Sequence, residues 1–487
     1  MSGGKVAKNT AYLVSAFIGQ KLLAFVYFMV VARNVGVQGT GRYFVALSFT
    51  TIFSIFVDLG LSNVLVRETA KFPEKAKDLL STALGIKLLL AVATVIAANF
   101  VAWLLRYPTE ILIMIALASV VMVLDATHLA FYATMRGFQN LRYEAFGVIS
   151  GQFIIIAAGL TFLKLHLPLP WLIVALLLNS TWNVIWSASA LARHFGVRPG
   201  LKINRTLAAF LWSVTVPFAL AGIFSRVYSY IDSVMLSKLA TEEAVGLYGA
   251  AYKVTFAFQF LPMSFAAAIY PAMSEYYVKD RAKLSAIFAK ALKYLAIVVL
   301  PLSFGIAVLA NPLVNLIYGS AFAEATVPLR IIIFSLIFAF LYWPAGSLLN
   351  ACDRQSANTM VMGTTMTVNI LLNLALIPFF QSTGAAVAAL VGNLILFVGA
   401  VFYARRVVVI DFRNFFAPIL RTVIAAGIMA LVLLPFHESR AVWLSVPLGV
   451  VTYAVALFAL RGVTVAEIKT VMSVFLRRGR GVADLVP

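Results

Sequence analysis

Two apolar segments flank a polar turn in the stretch AGIFSRVYSYIDSVML (221–236), SKLATEEAV (237–245), GLYGAAYKVTF (246–256). With its apolar neighbours, each segment is long enough to cross the ~30 Å hydrocarbon core of a bilayer. Arg226, Asp232 and Lys253 would then lie inside the membrane. A charge there costs about 3 kcal/mol or more and usually faces the protein interior or a water-filled path. The stretch therefore predicts a membrane protein whose spans carry functional charges.

The composition of the whole chain supports this class. Of its 487 residues, 62% are hydrophobic and 11% are charged, whereas soluble domains carry about 25% charged residues. The mean hydropathy is +0.98. The apolar runs are long and continuous and do not alternate with a period of two, which excludes a β-barrel. The sequence predicts an all-α polytopic membrane protein.

Transmembrane spans of about 20 apolar residues can be placed along the chain, and there are about fourteen of them. They cover residues 11–32, 43–66, 79–105, 110–134, 144–163, 170–192, 208–236, 245–271, 285–309, 326–349, 357–379, 384–404, 416–435 and 441–460. An even number places both termini on the same side of the membrane.

Lys and Arg set the orientation of these spans. They are concentrated in the N-terminal tail, the even-numbered connections and the C-terminal tail, as in Arg67, Lys71, Lys75 and Lys77. Loops rich in Lys and Arg stay on the cytoplasmic side. We therefore expect a multi-pass protein of the cytoplasmic (plasma or inner) membrane with both termini cytoplasmic. The net charge of +20 follows from these loops, and no nucleic acid partner is expected.

Motifs for catalysis, metals and cofactors are not found in the sequence. The single cysteine, Cys352, and the four scattered histidines do not form a metal-ligand pattern. There is no phosphate-binding Gly loop and no nucleophile elbow. No connection is long enough for a catalytic domain. We expect a protein that is not an enzyme and that needs no cofactor or metal.

An internal repeat indicates how the spans are grouped. GTGRYFVALS (39–48) resembles AVGLYGAAYK (244–253), with Gly41, Tyr43 and Ala46 aligned to Gly246, Tyr248 and Ala251. The repeat spans six helices, so the halves share one orientation and are related by a pseudo-two-fold axis along the membrane normal. The predicted domains are an N-terminal six-helix bundle (1–196), a cytoplasmic linker (197–206), a C-terminal six-helix bundle (207–406), two peripheral helices (407–462) and a cytoplasmic amphipathic or basic tail (463–487).

Four segments, three near the N-terminus and one in the second half, resemble a known family. NTAYLVSAFIGQK (9–21), VARNVGVQGTGRYFVALS (31–48) and FVDLGLSNVLVRETAK (56–71) are similar to the opening of the polysaccharide transporter family, and YIDSVMLSKLATEEAVGLYGAAYK (230–253) to its second-half hairpin. That family contains the O-antigen and exopolysaccharide flippases of the multidrug, oligosaccharidyl-lipid and polysaccharide exporter superfamily.

The resemblance implies a fold and a substrate. It implies two six-helix bundles around a central cavity and two peripheral helices. It also implies alternating access, with a polyprenyl-pyrophosphate-linked oligosaccharide moved from the cytoplasmic to the outer leaflet for cell-surface polysaccharide assembly. Membrane lipids and polysaccharide polymerase machinery would be partners. A lipid II flippase and an ion-coupled multidrug exporter of the same superfamily stay open as alternatives.

Cations inside the spans are the candidate substrate-binding residues. Lys21, Arg226 and Lys253 could line the cavity and bind the pyrophosphate, since arginine can bind phosphate in a bidentate manner. The alternative for each is a side chain that snorkels to the interface or pairs with an acid. For Lys87, near the cytoplasmic end of span 3, snorkelling is the expectation.

Acids inside the spans are the candidates for ion coupling, with H+ or Na+ as the ion. Asp125 and His128 are three residues apart and therefore share a helix face, so they could relay protons or form a hydrogen-bonded pair. Asp58 is expected to pair with a neighbouring cation. Asp232 could pair with Tyr228, Tyr230 or Arg226, although a pairing with Arg226 would need a kink or another helix. The membrane potential alone could also drive transport of an anionic substrate.

Overall fold

The computed structural model describes residues 3–409, 412–438 and 441–463, and this part of the chain contains helices and no strand. The chain divides into two compact units, Met1–Gly246 and Leu247–Pro487. Seven helices belong to unit 1: α1 (Gly3–Asp58), α2 (Leu61–Lys71), α3 (Ala76–Leu104), α4 (Thr109–Gly137), α5 (Arg142–Lys164), α6 (Trp171–His194) and α7 (Arg205–Leu239). The next helix, α8 (Glu242–Phe256), begins in unit 1 and continues into unit 2.

Unit 2 is also helical over its described residues. Its helices are α9 (Phe260–Lys279), α10 (Arg281–Val308), α11 (Ala310–Tyr318), α12 (Thr326–Ala351), α13 (Gln355–Ala404), α14 (Phe412–Leu433) and α15 (Val442–Ala459).

Twelve of the fourteen predicted spans coincide with one helix or half-helix of the described residues. Span 2 (43–66) continues from the second half of α1 through a turn at Leu59 and Gly60 into α2. Two helices contain a backbone break that separates two spans. The break lies at Gly36 (φ 71°) in α1 and at Gln381 (φ 48°) in α13. Span 8 is formed by α8 and α9 together, with an irregular turn between them. The prediction of an all-α polytopic membrane protein with about fourteen transmembrane helices is confirmed.

Apolar side chains on the outer face of α3 show where lipid meets the protein. Leu89, Ile96 and Trp103 each expose about two thirds of their surface, at 64%, 65% and 64%. Eleven segments of the described residues are long and apolar enough to cross a membrane. Contiguous exposed apolar surface of this kind requires lipid as the solvent. The protein is a multi-pass membrane protein.

Unit 1 packs around α4, which contacts α1, α2, α3 and α6. At one end of the unit the core is formed by α2, α3, α4 and α6, with Leu65, Leu80 and Met135 fully buried. Helix α7 packs against α1. The α6–α7 connection is held to α3, because the Thr82 hydroxyl donates to the Lys202 carbonyl (3.3 Å) and accepts from the Asn204 amide (3.4 Å).

Unit 2 packs around α10 and α12. The pair α14–α15 contacts α10 through a small apolar cluster that contains Leu309, Met429 and Leu433. The Tyr453 hydroxyl of α15 also donates to the Ile297 carbonyl of α10 at 2.7 Å. Predicted spans 13 and 14 are thus attached to α10. Residues 464–487, which include nearly all of the predicted amphipathic or basic tail, lie outside the described residues.

Candidate functional site

The three candidate substrate-binding cations lie on three helices. Lys21 lies on α1 and Arg226 on α7, which pack against each other in unit 1, and both side chains are partly buried. The Arg226 guanidinium lies beside the Tyr230 hydroxyl, one helical turn later. Lys253 lies on α8 in unit 2 and is also partly buried. The binding role of these residues stays a prediction.

Asp58 and Lys87 form an ion pair between the end of α1 and α3. Lys87 Nζ lies 2.5 Å from Asp58 Oδ1, and the Lys87 side chain is only 4% exposed. The ammonium also donates to Ser62 Oγ (3.0 Å) and to the Ala126 carbonyl of α4 (2.8 Å). The pair therefore connects four helices, α1, α2, α3 and α4. The expectation that Asp58 pairs with a cation is met, whereas the expectation that Lys87 snorkels is wrong because its ammonium is satisfied inside the bundle.

Asp125 and His128 form the second polar cluster of unit 1, on the face of α4 that contacts α6. His128 Nε2 lies 3.1 Å from Asp125 Oδ1, and Ser180 of α6 donates to the same oxygen at 2.5 Å. The Tyr132 ring packs edge-on against the His128 ring, with centroids 5.5 Å apart. His128 Nδ1 is buried and has no hydrogen-bond partner among the described residues. The predicted Asp–His pair exists, and its role in ion coupling stays a prediction.

Further polar contacts continue from this cluster between α4, α5 and α6. The Tyr132 hydroxyl donates to Asn183 Oδ1 (2.6 Å), and Asn183 Nδ2 donates to Asn179 Oδ1 (2.8 Å). Glycines of α5 make room for these side chains, since a Cβ on Gly147 would lie 1.9 Å from the Tyr132 hydroxyl. Buried hydrogen bonds between spans hold helices together. This network therefore fixes the helices that carry Asp125 and His128.

Asp232 of α7 is 4% exposed. A carboxyl group buried to this degree needs partners. Because six residues separate Asp232 from Arg226, the two side chains do not share a face of the unbroken helix α7. The partner of Asp232, whether Arg226 or a neighbouring tyrosine, therefore stays a prediction.

A charged cluster that was not predicted from the sequence connects three helices. It lies just after the break in α1 and in the first turns of α4 and α8. Arg42 Nε donates to Glu242 Oε2 at 2.7 Å, and Arg42 Nη1 donates to Glu110 Oε2 at 2.6 Å. Gln38 also donates to Glu242, at 3.2 Å. We call Gln38, Arg42, Glu110 and Glu242 the Arg42 cluster. It connects α1 to the first turns of α4 and α8.

Close backbone packing accompanies the Arg42 cluster. A Cβ on Gly41 would lie 1.8 Å from the Glu242 carbonyl oxygen, and a Cβ on Gly246 would lie 2.1 Å from the Val37 carbonyl oxygen. Only glycine permits such an approach of two helices. Gly41 and Gly246 are the aligned glycines of the internal repeat, so the repeat signal marks a contact between its own two copies.

The last turn of α7 is also attached to the connection between α3 and α4. The Tyr107 hydroxyl and Ser237 Oγ are 2.7 Å apart. Lys238 Nζ donates to the Leu105 carbonyl at 2.7 Å and lies 3.4 Å from the centroid of the Tyr107 ring. Burial raises the pKa of Tyr107 to about 12, so the phenol stays protonated at neutral pH. Together with the Arg42 cluster, these contacts close one end of unit 1 around the turn.

Two models of known protein families match this chain, and together they include the residues that make these contacts. The family model "Polysaccharide biosynthesis protein" matches residues 6–277, which is more than half of the chain and includes the Arg42 cluster. The chain belongs to this family. A second family model, MatE, matches residues 217–375 of this chain.

Individual relatives are distant but extend along most of the chain. An uncharacterised membrane protein of Methanocaldococcus jannaschii is 22% identical, over 97% of this chain and 99% of the relative. The "probable low-salt glycan biosynthesis flippase Agl15" of Haloferax volcanii is 23% identical, over 79% of this chain and 80% of the relative. The structure of "lipid II flippase MurJ, inward closed conformation" superposes with a TM-score of 0.75 at 16% identity, covering 95% and 99% of the two chains. The fold of this family member is thus shared with MurJ.

Proposed function

We propose that the protein is a flippase that moves a polyprenyl-pyrophosphate-linked oligosaccharide from the cytoplasmic to the outer leaflet by alternating access. The observation that carries the proposal is the match of the polysaccharide biosynthesis family model to residues 6–277. The relative Agl15, named as a glycan biosynthesis flippase, and the fold shared with MurJ support it. The reaction breaks no covalent bond, so the protein is a transporter and not an enzyme.

The cations inside the spans fit an anionic headgroup. A pyrophosphate that leaves water needs positive partners, because desolvating an uncompensated charge costs many kcal/mol. In this proposal Lys21, Arg226 and Lys253 supply that compensation. Arg226 contributes two parallel N–H donors. Lys87 is not available for this role, since its ammonium is bound to Asp58, Ser62 and Ala126.

Energy for the movement can come from the membrane potential. An inside-negative potential favours outward movement of a negative charge by about 2.3 kcal/mol per 100 mV. A dianion would gain about twice that. Antiport of H+ or Na+ through Asp125 and His128, Asp58 or Asp232 is the alternative source. The Asp125–His128 cluster favours the proton within this alternative, since it places an imidazole, which can carry a proton, beside a carboxylate.

The proposed orientation follows from the Lys and Arg bias of the connections. Both termini lie in the cytoplasm, and the membrane is the cytoplasmic one. The two predicted six-helix bundles (1–196 and 207–406) rock against each other in the proposal, and the peripheral helices (407–462) stay in lipid. Membrane lipids and a polysaccharide polymerase that takes up the product are the proposed partners.

The second candidate function is a multidrug exporter, which the MatE match to residues 217–375 favours. A site for cationic drugs requires acids that are not already neutralised. In unit 1, Asp58 is paired with Lys87, and Asp125 accepts from Ser180 and contacts His128. The Asp58–Lys87 ion pair neutralises one such acid, which favours the anionic glycolipid over a cationic drug.

A direct test uses purified protein in proteoliposomes with a short-chain polyprenyl-pyrophosphate oligosaccharide and, separately, a cationic dye. We expect the glycolipid to reach the opposite leaflet much faster than in protein-free liposomes, and the dye to stay where it is. Cleavage of the glycan by a membrane-impermeant glycosidase measures the movement of the glycolipid, and dye fluorescence measures the transport of the dye. Dye export without glycolipid movement would contradict the flippase function and support the drug-exporter function.

A further inference from the structure

Unit 1 contains a cavity of about 320 Å³ next to the Arg42 cluster. Its walls come from α1 on both sides of the Gly36 break, from Glu110 at the start of α4, from the end of α5, from the α5–α6 connection and from the start of α6. In the proposed orientation this end of the unit faces the outside. We propose that the cavity is an exit subsite that binds one pyranose residue of the glycan; this inference rests on the proposed function.

One wall of the cavity is aromatic. Trp171 and Phe162 line it, with ring centroids 5.2 Å apart in an edge-to-face arrangement. Trp171 is 41% exposed, so part of its indole is available to a ligand. The negative face of an aromatic ring attracts the weakly positive C–H groups on one side of a pyranose ring. A hydrogen bond from the Trp171 amide to the Pro168 carbonyl (3.0 Å) fixes the turn that carries the indole.

The opposite wall is polar and has unused hydrogen-bonding capacity. Arg42 uses Nε and Nη1, Glu110 uses Oε2, and Gln38 uses its amide nitrogen. The second guanidinium nitrogen of Arg42, Glu110 Oε1 and Gln38 Oε1 make no hydrogen bond within the described part of the chain. They provide one donor group and two acceptors. Adjacent hydroxyls of a sugar can donate to the acceptors and accept from the guanidinium.

The charge of the cavity favours a neutral ligand. The charged residues that line the cavity are Arg42 and Glu110, which pair with each other, and Arg42 is also paired with Glu242. A pyrophosphate would meet a guanidinium that two carboxylates already neutralise. A divalent cation would have to displace the guanidinium, which already occupies an oxygen of each carboxylate. A pyranose ring is uncharged, its apolar face fits the aromatic wall and its hydroxyls fit the polar wall.

The single native cysteine permits a sharp test by thiol protection. Cys352 is fully buried, and burial raises its pKa to about 11, so it reacts slowly with maleimides. Val35 lines the cavity and is partly exposed, and in Val35→Cys the new side chain is close to valine in volume. Lys164→Cys is the matched control, because Lys164 is exposed at the end of α5 and does not line the cavity.

The experiment measures labelling of purified full-length Val35→Cys protein by a hydrophilic maleimide, with a panel of free monosaccharides and disaccharides as probes and glycerol as the osmotic control. We expect at least one sugar to cause a saturable loss of labelling of the thiol introduced by Val35→Cys, but not of the thiol introduced by Lys164→Cys. Trp171→Leu, which keeps an apolar side chain, should abolish the protection while the unfolding temperature of the purified protein stays that of the wild type. Protection that survives Trp171→Leu, or labelling of the Val35→Cys protein that no sugar changes, would overturn the subsite. Protection without any flipping would instead keep the subsite and overturn the proposed function.

Discussion

Gly41→Ala is expected to lower the thermal stability of the protein strongly, although alanine is the better helix former. In an exposed helix the change from glycine to alanine gains up to about 1 kcal/mol. Here the new Cβ would lie 1.8 Å from the Glu242 carbonyl oxygen, whereas carbon and oxygen normally stay at least ~3.3 Å apart. The first turn of α8 must move away from α1, and the Arg42 cluster is pulled apart. Overpacking of this kind costs about 1–3 kcal/mol and sometimes more.

The measurement is the unfolding temperature of purified protein in detergent. Gly19→Ala is the control in the same helix, since its Cβ would make only an ordinary contact, 3.4 Å from Ile149, and it should leave the temperature unchanged or higher. Gly246→Ala disturbs the same helix crossing from the other side. The unfolding temperature of the double variant should therefore fall by less than the sum of the decreases in the two single variants. An unfolding temperature of Gly41→Ala equal to that of the wild type would contradict the close packing of α1 against α8.

Asp58→Asn is expected to cost more stability than Lys87→Met, although both changes break the same ion pair. Removing one partner of a buried pair costs about 3–5 kcal/mol, because the other charge remains without its counter-ion. Lys87 is 4% exposed and Asp58 is 24% exposed. The stranded ammonium in Asp58→Asn is therefore farther from water than the stranded carboxylate in Lys87→Met. That carboxylate also keeps the Ser62 hydroxyl (2.6 Å) and the Gly60 amide (3.2 Å) as donors.

The double variant Asp58→Asn/Lys87→Met should recover much of the loss, because two uncharged side chains need no counter-ion. The measurement is the free energy of unfolding in mixed micelles, determined for the wild type, the two single variants and the double variant. Lys77→Met is the control, since Lys77 is exposed at the start of the same helix α3, and we expect no measurable change. Strictly additive losses would mean that Asp58 and Lys87 do not interact.

Most of the fold could be predicted from the sequence because hydropathy over twenty residues is a strong signal. The fourteen spans coincide with helices, and the breaks at Gly36 and Gln381 fall between predicted spans. Helix α11 was not predicted, because its nine residues are too few to cross a membrane. The turn between α8 and α9 was not predicted either, since the apolar run continues through it.

The side-chain partners were harder to predict than the spans. The separation of 68 residues between Arg42 and Glu110, and of 200 between Arg42 and Glu242, gives no local signal of their contact. The repeated glycines did carry such a signal, because Gly41 and Gly246 mark the backbone crossing beneath the cluster. Lys87 was expected to snorkel because the sequence does not show that Asp58, Ser62 and Ala126 surround it. The ion pair between Arg136, which is partly exposed, and the buried Glu144 at the α4–α5 connection was missed for the same reason.

The central claim is that cations inside the spans compensate the anionic headgroup of a lipid-linked glycan, and one measurement tests it most directly. The initial rate of flipping of a short-chain polyprenyl-pyrophosphate oligosaccharide is measured in proteoliposomes, with and without a membrane potential. It is compared for wild type, Arg226→Ala and the exposed control Lys164→Ala. We predict that a potential negative on the cytoplasmic side accelerates the wild type and the control, and that Arg226→Ala loses transport while its protein level and unfolding temperature stay normal. Flipping by Arg226→Ala at the wild-type rate would contradict the cationic headgroup site.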